Sequence, residues 1–188
     1  MLPPAQVAAL LWGFAPPWCV AGGWAVDLYL GRVTRAHADV ECAVLRRDQF
    51  ALRAHLRDWR WQKVVGGALV DWPRGEWVEL PIHELYATDE RAEPPRLEVL
   101  LNEARGDAWV FRRDARVTRP LAACVRKTTA GLPFLSPELV LLYKSKAPRA
   151  KDEEDFAAVV TQLEAEPRAW LRAALATCAP DHHWLRRL

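Results

Sequence analysis

The sequence carries little excess charge, few cysteines and no uninterrupted hydrophobic run of membrane-spanning length. Its 188 residues hold 26 Lys and Arg against 24 Asp and Glu, a formal net charge of +2. A generic polyanion binder needs clustered basic residues on a domain of high pI, so that class loses its electrostatic basis and a nucleic-acid role is disfavoured. The four cysteines, Cys19, Cys42, Cys124 and Cys178, are far apart and include no C-x-x-C pair. Only His182-His183 brings potential metal ligands close in sequence, which argues against zinc and disulfide frameworks. No charged residue precedes Asp27, yet Pro3, Pro4, Gly13, Pro16, Pro17, Gly22 and Gly23 interrupt that stretch. It has neither the basic start of a signal peptide nor the continuous apolar helix of a membrane span. The chain therefore reads as cytoplasmic, with reduced thiols and no membrane partner.

What is present is enough for one packed core. Apolar residues make up 51% of the chain and ten are tryptophan, while the 27% that are charged are interleaved in sign. Disorder needs the opposite balance. No repeat or low-complexity segment is visible.

Proline and glycine punctuate the order of elements. Val7, Leu10, Leu11 and Phe14 recur at helical spacing after Pro3-Pro4 and stop at Pro16-Pro17. A short apolar run, Trp18 to Ala21, then meets Gly22-Gly23, and a helical pattern from Trp24 to Leu30 ends at Gly31, giving strand, glycine turn, helix. Alternation over Asp39 to Leu45 predicts a strand, with a helix over Gln49 to Trp59 behind it. Short strands are expected over Trp61 to Val65, Ala68 to Trp72, Trp77 to Leu80, Leu97 to Leu101 and Trp109 to Phe111, with Pro94-Pro95 among the breaks between them. Val125 to Leu135 reads as a hairpin. Ser136-Pro137-Glu138 is an N-cap, first-turn proline and acidic first turn opening a helix to about Ala147; Asp152 to Leu163 and Pro167 to Cys178 are further helical patterns. The expectation is an α/β (α+β) unit over residues 1–135, a mixed sheet flanked by helices, followed by a helical segment over 136–188 packed on it.

Three features near the start belong together. Gly22-Gly23 opens a helix, where backbone N–H groups and the helix dipole suit a phosphate. Arg35 and His37 lie in the next loop, and Asp39-Val40-Glu41 follows on a strand. Residues i and i+2 of a strand face one side about 7 Å apart, so Asp39 and Glu41 can both reach a divalent cation over that face. Magnesium takes a few carboxylates plus water and substrate phosphates. Taken singly, the glycines are an ordinary tight turn and the carboxylates an ordinary solvated edge. Their succession across one helix, with Val40, Cys42 and Val44 forming a buried face opposite, favours function.

These residues carry a resemblance. Gly22-Gly23-Trp24-Ala25-Val26-Asp27, followed by Leu30-Gly31-Arg32-Val33-Thr34-Arg35-Ala36-His37-Ala38-Asp39-Val40-Glu41, resembles the signature of the nucleotidyltransferase-fold superfamily, and more narrowly the aminoglycoside and lincosamide nucleotidyltransferases. Softer similarity continues through Gly106 to Asp114 and Tyr143 to Phe156. The resemblance implies a nucleoside triphosphate donor, usually ATP, and two magnesium ions held by Asp39, Glu41 and a third acidic residue. It also implies transfer of a nucleotidyl group to a hydroxyl of a small molecule. The family often has Asp where this chain has Glu41, which keeps the charge but moves the oxygens.

Glu98, Glu103 and Asp107 compete for the third place. Glu98 sits inside the apolar run Leu97 to Leu101, where an unpaired carboxylate is costly to bury, so it is expected to meet a metal or serve as base. Its ordinary alternative is a water-exposed edge strand, whereas Asp107 beside Gly106 is a turn residue. Lys144 and Lys146, with Arg32 and Arg35, are the candidates for the triphosphate. Lys151 and Asp155 have the spacing of a helix-surface pair. His37 is a candidate for orienting Asp39 or touching phosphate, and otherwise an exposed loop residue. Trp72 and Trp77 are candidates for an acceptor wall, and Glu84, Asp89, Glu90 and Glu93 for attracting a polycationic acceptor, with a solvated loop the simpler account. A toxin-type enzyme acting on RNA or protein and a non-catalytic nucleotide-binding module are the competing functions. The chain is expected to act as monomer or homodimer.

Overall fold

A computed structural model describes residues 3–91 and 96–188; Glu93 and Pro94-Pro95 lie outside the described residues. In chain order the elements are α1 (Pro4–Leu10), β1 (Trp18–Val20), α2 (Gly22–Leu30), β2 (Glu41–Leu45), α3 (Gln49–His55), β3 (Arg60–Val65), β4 (Ala68–Asp71) and β5 (Glu84–Thr88). Then come β6 (Arg96–Arg105), β7 (Ala108–Val110), β8 (Thr118–Pro120), β9 (Val125–Lys127), β10 (Pro133–Leu135), α4 (Pro137–Lys144), α5 (Ala150–Val160) and α6 (Ala165–Cys178). The strands form one mixed sheet ordered β4-β3-β5-β6-β2-β1-β10-β9, and β7 pairs with the far end of β6 and with β8. The mixed sheet flanked by helices matches the fold class expected from the sequence.

The centre of the sheet is the parallel pair β2 and β6, flanked by β1 antiparallel to β2 and β5 antiparallel to β6. On the core side Cys42, Val44, Leu85, Ala87, Val99 and Leu101 are buried. The opposite side of the same strands carries the polar residues that concern function. Helix α2 packs on α4, α5 and β10, so the helical segment closes over the strand, glycine, helix unit rather than trailing from it.

Several expected boundaries shift for identifiable reasons. The second strand starts at Glu41, leaving Asp39 in the segment just before it. Trp77 to Leu80 is not a strand, because its polar backbone is taken by side chains. Gln49 Oε1 accepts from the Val78 N–H at 2.8 Å, and Arg46 donates to the Val78 carbonyl at 2.9 Å. The strand in that region is β5, whose Glu84 the sequence suggested as part of a loop. Helix α3 stops at His55 rather than Trp59, and α4 at Lys144 rather than Ala147. Ser136 stands at the N-cap position of α4 but its hydroxyl donates to the Ala123 carbonyl at 3.0 Å, so it does not cap. Glu138, the acid of the expected first turn, is fully buried against Arg119 at 2.8 Å.

Candidate active site

Strand register gathers the carboxylates. Glu41 lies opposite Glu98 across the parallel β2/β6 pair, Tyr86 opposite Glu98 across β5/β6, and Glu84 opposite Leu100. Alternation along each strand puts Glu41, Glu98, Tyr86 and Glu84 on one face. That face floors a cavity of about 530 Å³, also lined by Asp39, Gly22 and Gly23. The three carboxylates singled out in the sequence therefore meet in one cavity, with Glu84 as a fourth. Among the described residues no three His, Cys, Asp or Glu side chains are gathered tightly enough to enclose a metal ion. The donor chemistry nonetheless fits a hard cation, since Glu41, Glu98 and Glu84 share one partly buried face and Asp39 lines the same cavity.

Burial, and then mutual repulsion, raise the proton affinities of Glu41 and Glu98. Burial pushes Glu41 up from the ordinary carboxylate range, and Asp39 adds to the shift. Glu98 is raised to about 7 by burial, then by Glu41 and Glu84. A carboxyl whose pKa is higher folded than unfolded binds its proton more tightly in the native state, so its contribution to stability is lost as pH rises from about 4.5 to about 7. Glu98→Gln is accordingly expected to gain in thermal midpoint over the parent between pH 5 and pH 8 in metal-free buffer. Midpoints that move in parallel across that range would contradict the assignment.

Gly22 and Gly23 have a steric role beyond the turn. Gly22 adopts φ of +59°, and a Cβ there would fall on the Glu41 carboxylate. A Cβ on Gly23 would collide with the Arg35 guanidinium and lie 2.7 Å from His37 Nδ1. The N-terminus of α2 thus lies directly against the carboxylate floor, with the Ala21 N–H donating to the Glu41 carbonyl at 2.8 Å. Its orphan N–H groups and positive dipole end are available to an anion there.

The basic candidates are already engaged. Buried Asp27 accepts from the Thr34 backbone at 3.1 Å, from the Thr34 hydroxyl at 2.5 Å and from His37 Nε2 at 2.5 Å. With Nε2 donating, His37 Nδ1 accepts from Arg35 at 3.0 Å. Arg35 forks onto Asp155 at 3.3 and 3.2 Å, and Lys144 bridges Asp155 at 3.0 Å and Asp152 at 2.5 Å. His37 is therefore not an exposed loop residue, and its ring nitrogens are taken by Asp27 and Arg35 rather than by Asp39; it is buried against Trp24 and holds the loop. Asp155 serves Arg35 and Lys144 instead of pairing with Lys151. Lys146 lies past the end of α4, exposed at the cavity rim. This network fixes the loop carrying Arg35 to α4 and α5. Asp27→Ala strips it of its buried acceptor and is expected to cost about 3 kcal/mol, read as a fall in denaturant midpoint at unchanged slope. A change under about 0.5 kcal/mol would mean that the buried network holds little.

The sequence model of the aminoglycoside-2''-adenylyltransferase family matches residues 5–159. The chain belongs to that family. It is a nucleotidyltransferase, and the matched segment contains the whole strand, glycine, helix, carboxylate unit together with α4 and nearly all of α5. Among solved structures, ANT(2'')-Ia in complex with adenylyl-2''-tobramycin aligns with a TM-score of 0.60 at 20% identity, covering 92% of this chain and 94% of its own. The lincosamide antibiotic adenylyltransferase LnuA, lincomycin-bound, aligns with a TM-score of 0.56 at 16% identity, covering 82% and 92%. At these identities the likeness concerns the fold. No curated protein matches the chain.

In this adenylyltransferase-family chain the aromatic candidates lie elsewhere. Trp72 is buried among Phe50 and Trp61, with Arg53 over its ring at 4.5 Å, and Trp77 packs on Phe50; neither lines the cavity. The acidic stretch also disperses. Asp89 binds Arg91 at 3.0 Å and Glu90 lies 3.9 Å from Arg60, leaving Glu84 in the cavity. Sequence reasoning missed Tyr86, whose hydroxyl donates to Glu84 at 2.8 Å, and Arg112 and Arg113, which also line the cavity. A strand pattern over Glu84 to Thr88, with alternate Glu, Tyr and Thr on one face, was the available signal.

Proposed function

We propose that this nucleotidyltransferase transfers AMP from ATP, with magnesium, to a hydroxyl of a small molecule, aminoglycoside and lincosamide antibiotics being the first acceptors to try. The observation that carries the reading is the meeting of Asp39, Glu41 and Glu98 in one cavity against the N-terminus of α2. Asp39 and Glu41, with Glu98 beside them, are the residues that would hold metal. Magnesium, when bound, neutralises charge developing on the phosphate oxygens. The N–H groups at Gly22 and Gly23 would receive phosphate oxygens, and Arg35 and Lys144, held by Asp155, would present their remaining donors to the triphosphate. The acceptor oxygen bonds to the α-phosphorus as the bond to pyrophosphate breaks. Glu98, half-buried beside Glu41 at the cavity floor, is the carboxylate that would take the hydroxyl proton.

Residues 1–135 supply the carboxylates in this reading, and 136–188 supply Lys144 and its acidic partners. No helix among the described residues is long and apolar enough to cross a membrane, and a cytoplasmic location is proposed because the donor is available there. The test is incubation with magnesium and ATP labelled at the α-phosphate, against a panel of hydroxylated small molecules that includes aminoglycosides and lincosamides. Pyrophosphate release together with label on an acceptor is the expected result. Failure to bind ATP with magnesium, and no transfer to any acceptor, would overturn the reading.

A further inference from the structure

Arg112 is a half-buried cation that no carboxylate among the described residues pairs with. It follows β7 and lines the cavity beside Asn102 of β6, which is four residues beyond Glu98 and so about 13 Å along the strand from it. Burial disfavours its charge, and Glu103, a carboxylate that favours it, is held by Arg46 at 2.7 Å. What Arg112 meets instead is a ring: its guanidinium lies 5.1 Å over Tyr143. That ring is fixed in turn. The Tyr143 hydroxyl donates to Asn102 Oδ1 at 3.2 Å, Trp109 Nε1 donates to the same oxygen at 2.9 Å, and Arg113 donates to the Tyr143 carbonyl at 2.7 Å.

A delocalised, weakly hydrated guanidinium laid on an aromatic ring presents a plane, and a plane is what a nucleobase stacks on. Asn102 has no edge contact to add, since its Nδ2 donates to the Leu100 carbonyl at 3.2 Å and its Oδ1 is taken. The course of the cavity agrees. With the outer phosphates at Gly22-Gly23 and the α-phosphorus over Glu41 and Glu98, the nucleoside is left to run along β6. Glu98, Leu100 and Asn102 alternate onto one face of that strand, so Leu100 is the apolar floor between the carboxylates and Arg112. The β5 side, where Glu84 stands opposite Leu100, is left to the acceptor.

We infer that Arg112, laid on Tyr143, is the seat of the donor's nucleobase, and that it holds the base by its plane rather than by its charge. The inference rests on the donor-site reading above and adds to it the residue that holds the nucleoside.

The test uses the full chain with magnesium, titrated calorimetrically with a non-hydrolysable ATP analogue and, separately, with tripolyphosphate, which has the three phosphates and no base. Arg112→Gln is expected to weaken the ATP analogue by about tenfold, the scale of one stacked base, and to leave tripolyphosphate within about twofold of the parent. Retained tripolyphosphate binding also shows that the variant is folded. Arg112→Lys keeps the charge without the plane and should be nearly as defective toward the ATP analogue as Arg112→Gln. Unchanged affinity for the analogue in Arg112→Gln overturns the inference. So does an equal loss for tripolyphosphate, which would make the arginine a phosphate contact, and so does full affinity in Arg112→Lys, which would make charge the cause. A parent chain that binds neither ligand is a separate result: it overturns the donor-site reading itself and takes the nucleobase seat with it.

Discussion

Glu41→Gln is expected to lower acceptor-dependent pyrophosphate release by about 10³-fold, the loss typical when a group stabilising transition-state charge is removed. The same variant should unfold at an equal or higher temperature than the parent in metal-free buffer at pH 8. Both effects come from one property of the residue. Glu41 is a carboxylate partly withdrawn from water beside Asp39, so its charge is a burden to the fold and is raised in pKa by that burial. Gln fills the same volume without the charge. Stability is relieved and the hard oxygen pair needed by a cation is lost, so stabilisation by added magnesium should disappear as well. Retained turnover, or a lowered thermal midpoint with magnesium stabilisation intact, would show that Glu41 serves the fold and not the chemistry.

Gly22→Ala is expected to have the second largest effect. The backbone at φ of +59° costs an L-residue about 1 kcal/mol, and the new Cβ would coincide with the Glu41 carboxylate, adding roughly 1–3 kcal/mol of overpacking. The Glu41 side chain must rotate away for the fold to survive. A displacement of about 1 Å at a catalytic group can cost about 10²-fold in rate, so turnover should fall by at least that factor in protein that remains folded at the assay temperature. Gly31→Ala provides the contrast. Gly31 is also left-handed, at φ of +68°, but a Cβ there meets nothing within 4 Å. It should lose the backbone cost alone and keep its activity. Equal activity losses in the two variants would remove the steric argument at Gly22.

The proposed catalytic block was legible because its signals are local. A glycine pair, a helix, a basic loop and an Asp-x-Glu strand entry lie within two dozen residues, so chain order alone places them around one strand-helix unit. Glu98 could be singled out because a carboxylate in an apolar run is expensive, yet only the parallel pairing of β2 with β6 sets it opposite Glu41. Tyr86 was not legible as a site residue, and Glu84 was read only as one of an acidic stretch that could attract a polycationic acceptor. Short alternating strands and polar loops look alike until a neighbour is assigned, and Trp77 to Leu80 looked more strand-like although Gln49 and Arg46 take its backbone groups.

Arg35 and His37 show the same division. The sequence placed both in the loop before the carboxylates, and nothing local indicates that His37 is buried on Asp27 or that Arg35 reaches Asp155, 120 residues away. The aromatic count pointed correctly to a packed core, and only the acceptor wall suggested for Trp72 and Trp77 failed. Trp72 and Trp77 flank a turn attractive for a pocket wall, but apolar area is buried wherever the sheet and helices leave room, and here that room is against Phe50 and Trp61.

By itself the sequence determined the local grouping of the proposed donor site: the glycines, Asp39 and Glu41 are tied by short-range geometry that the periods of strand and helix dictate. Only the tertiary structure decided which carboxylates meet Glu41 across the sheet and the ion network behind the basic residues. Each of those depends on register and packing between segments distant in sequence, and no local pattern encodes a pairing whose energy comes from the partner.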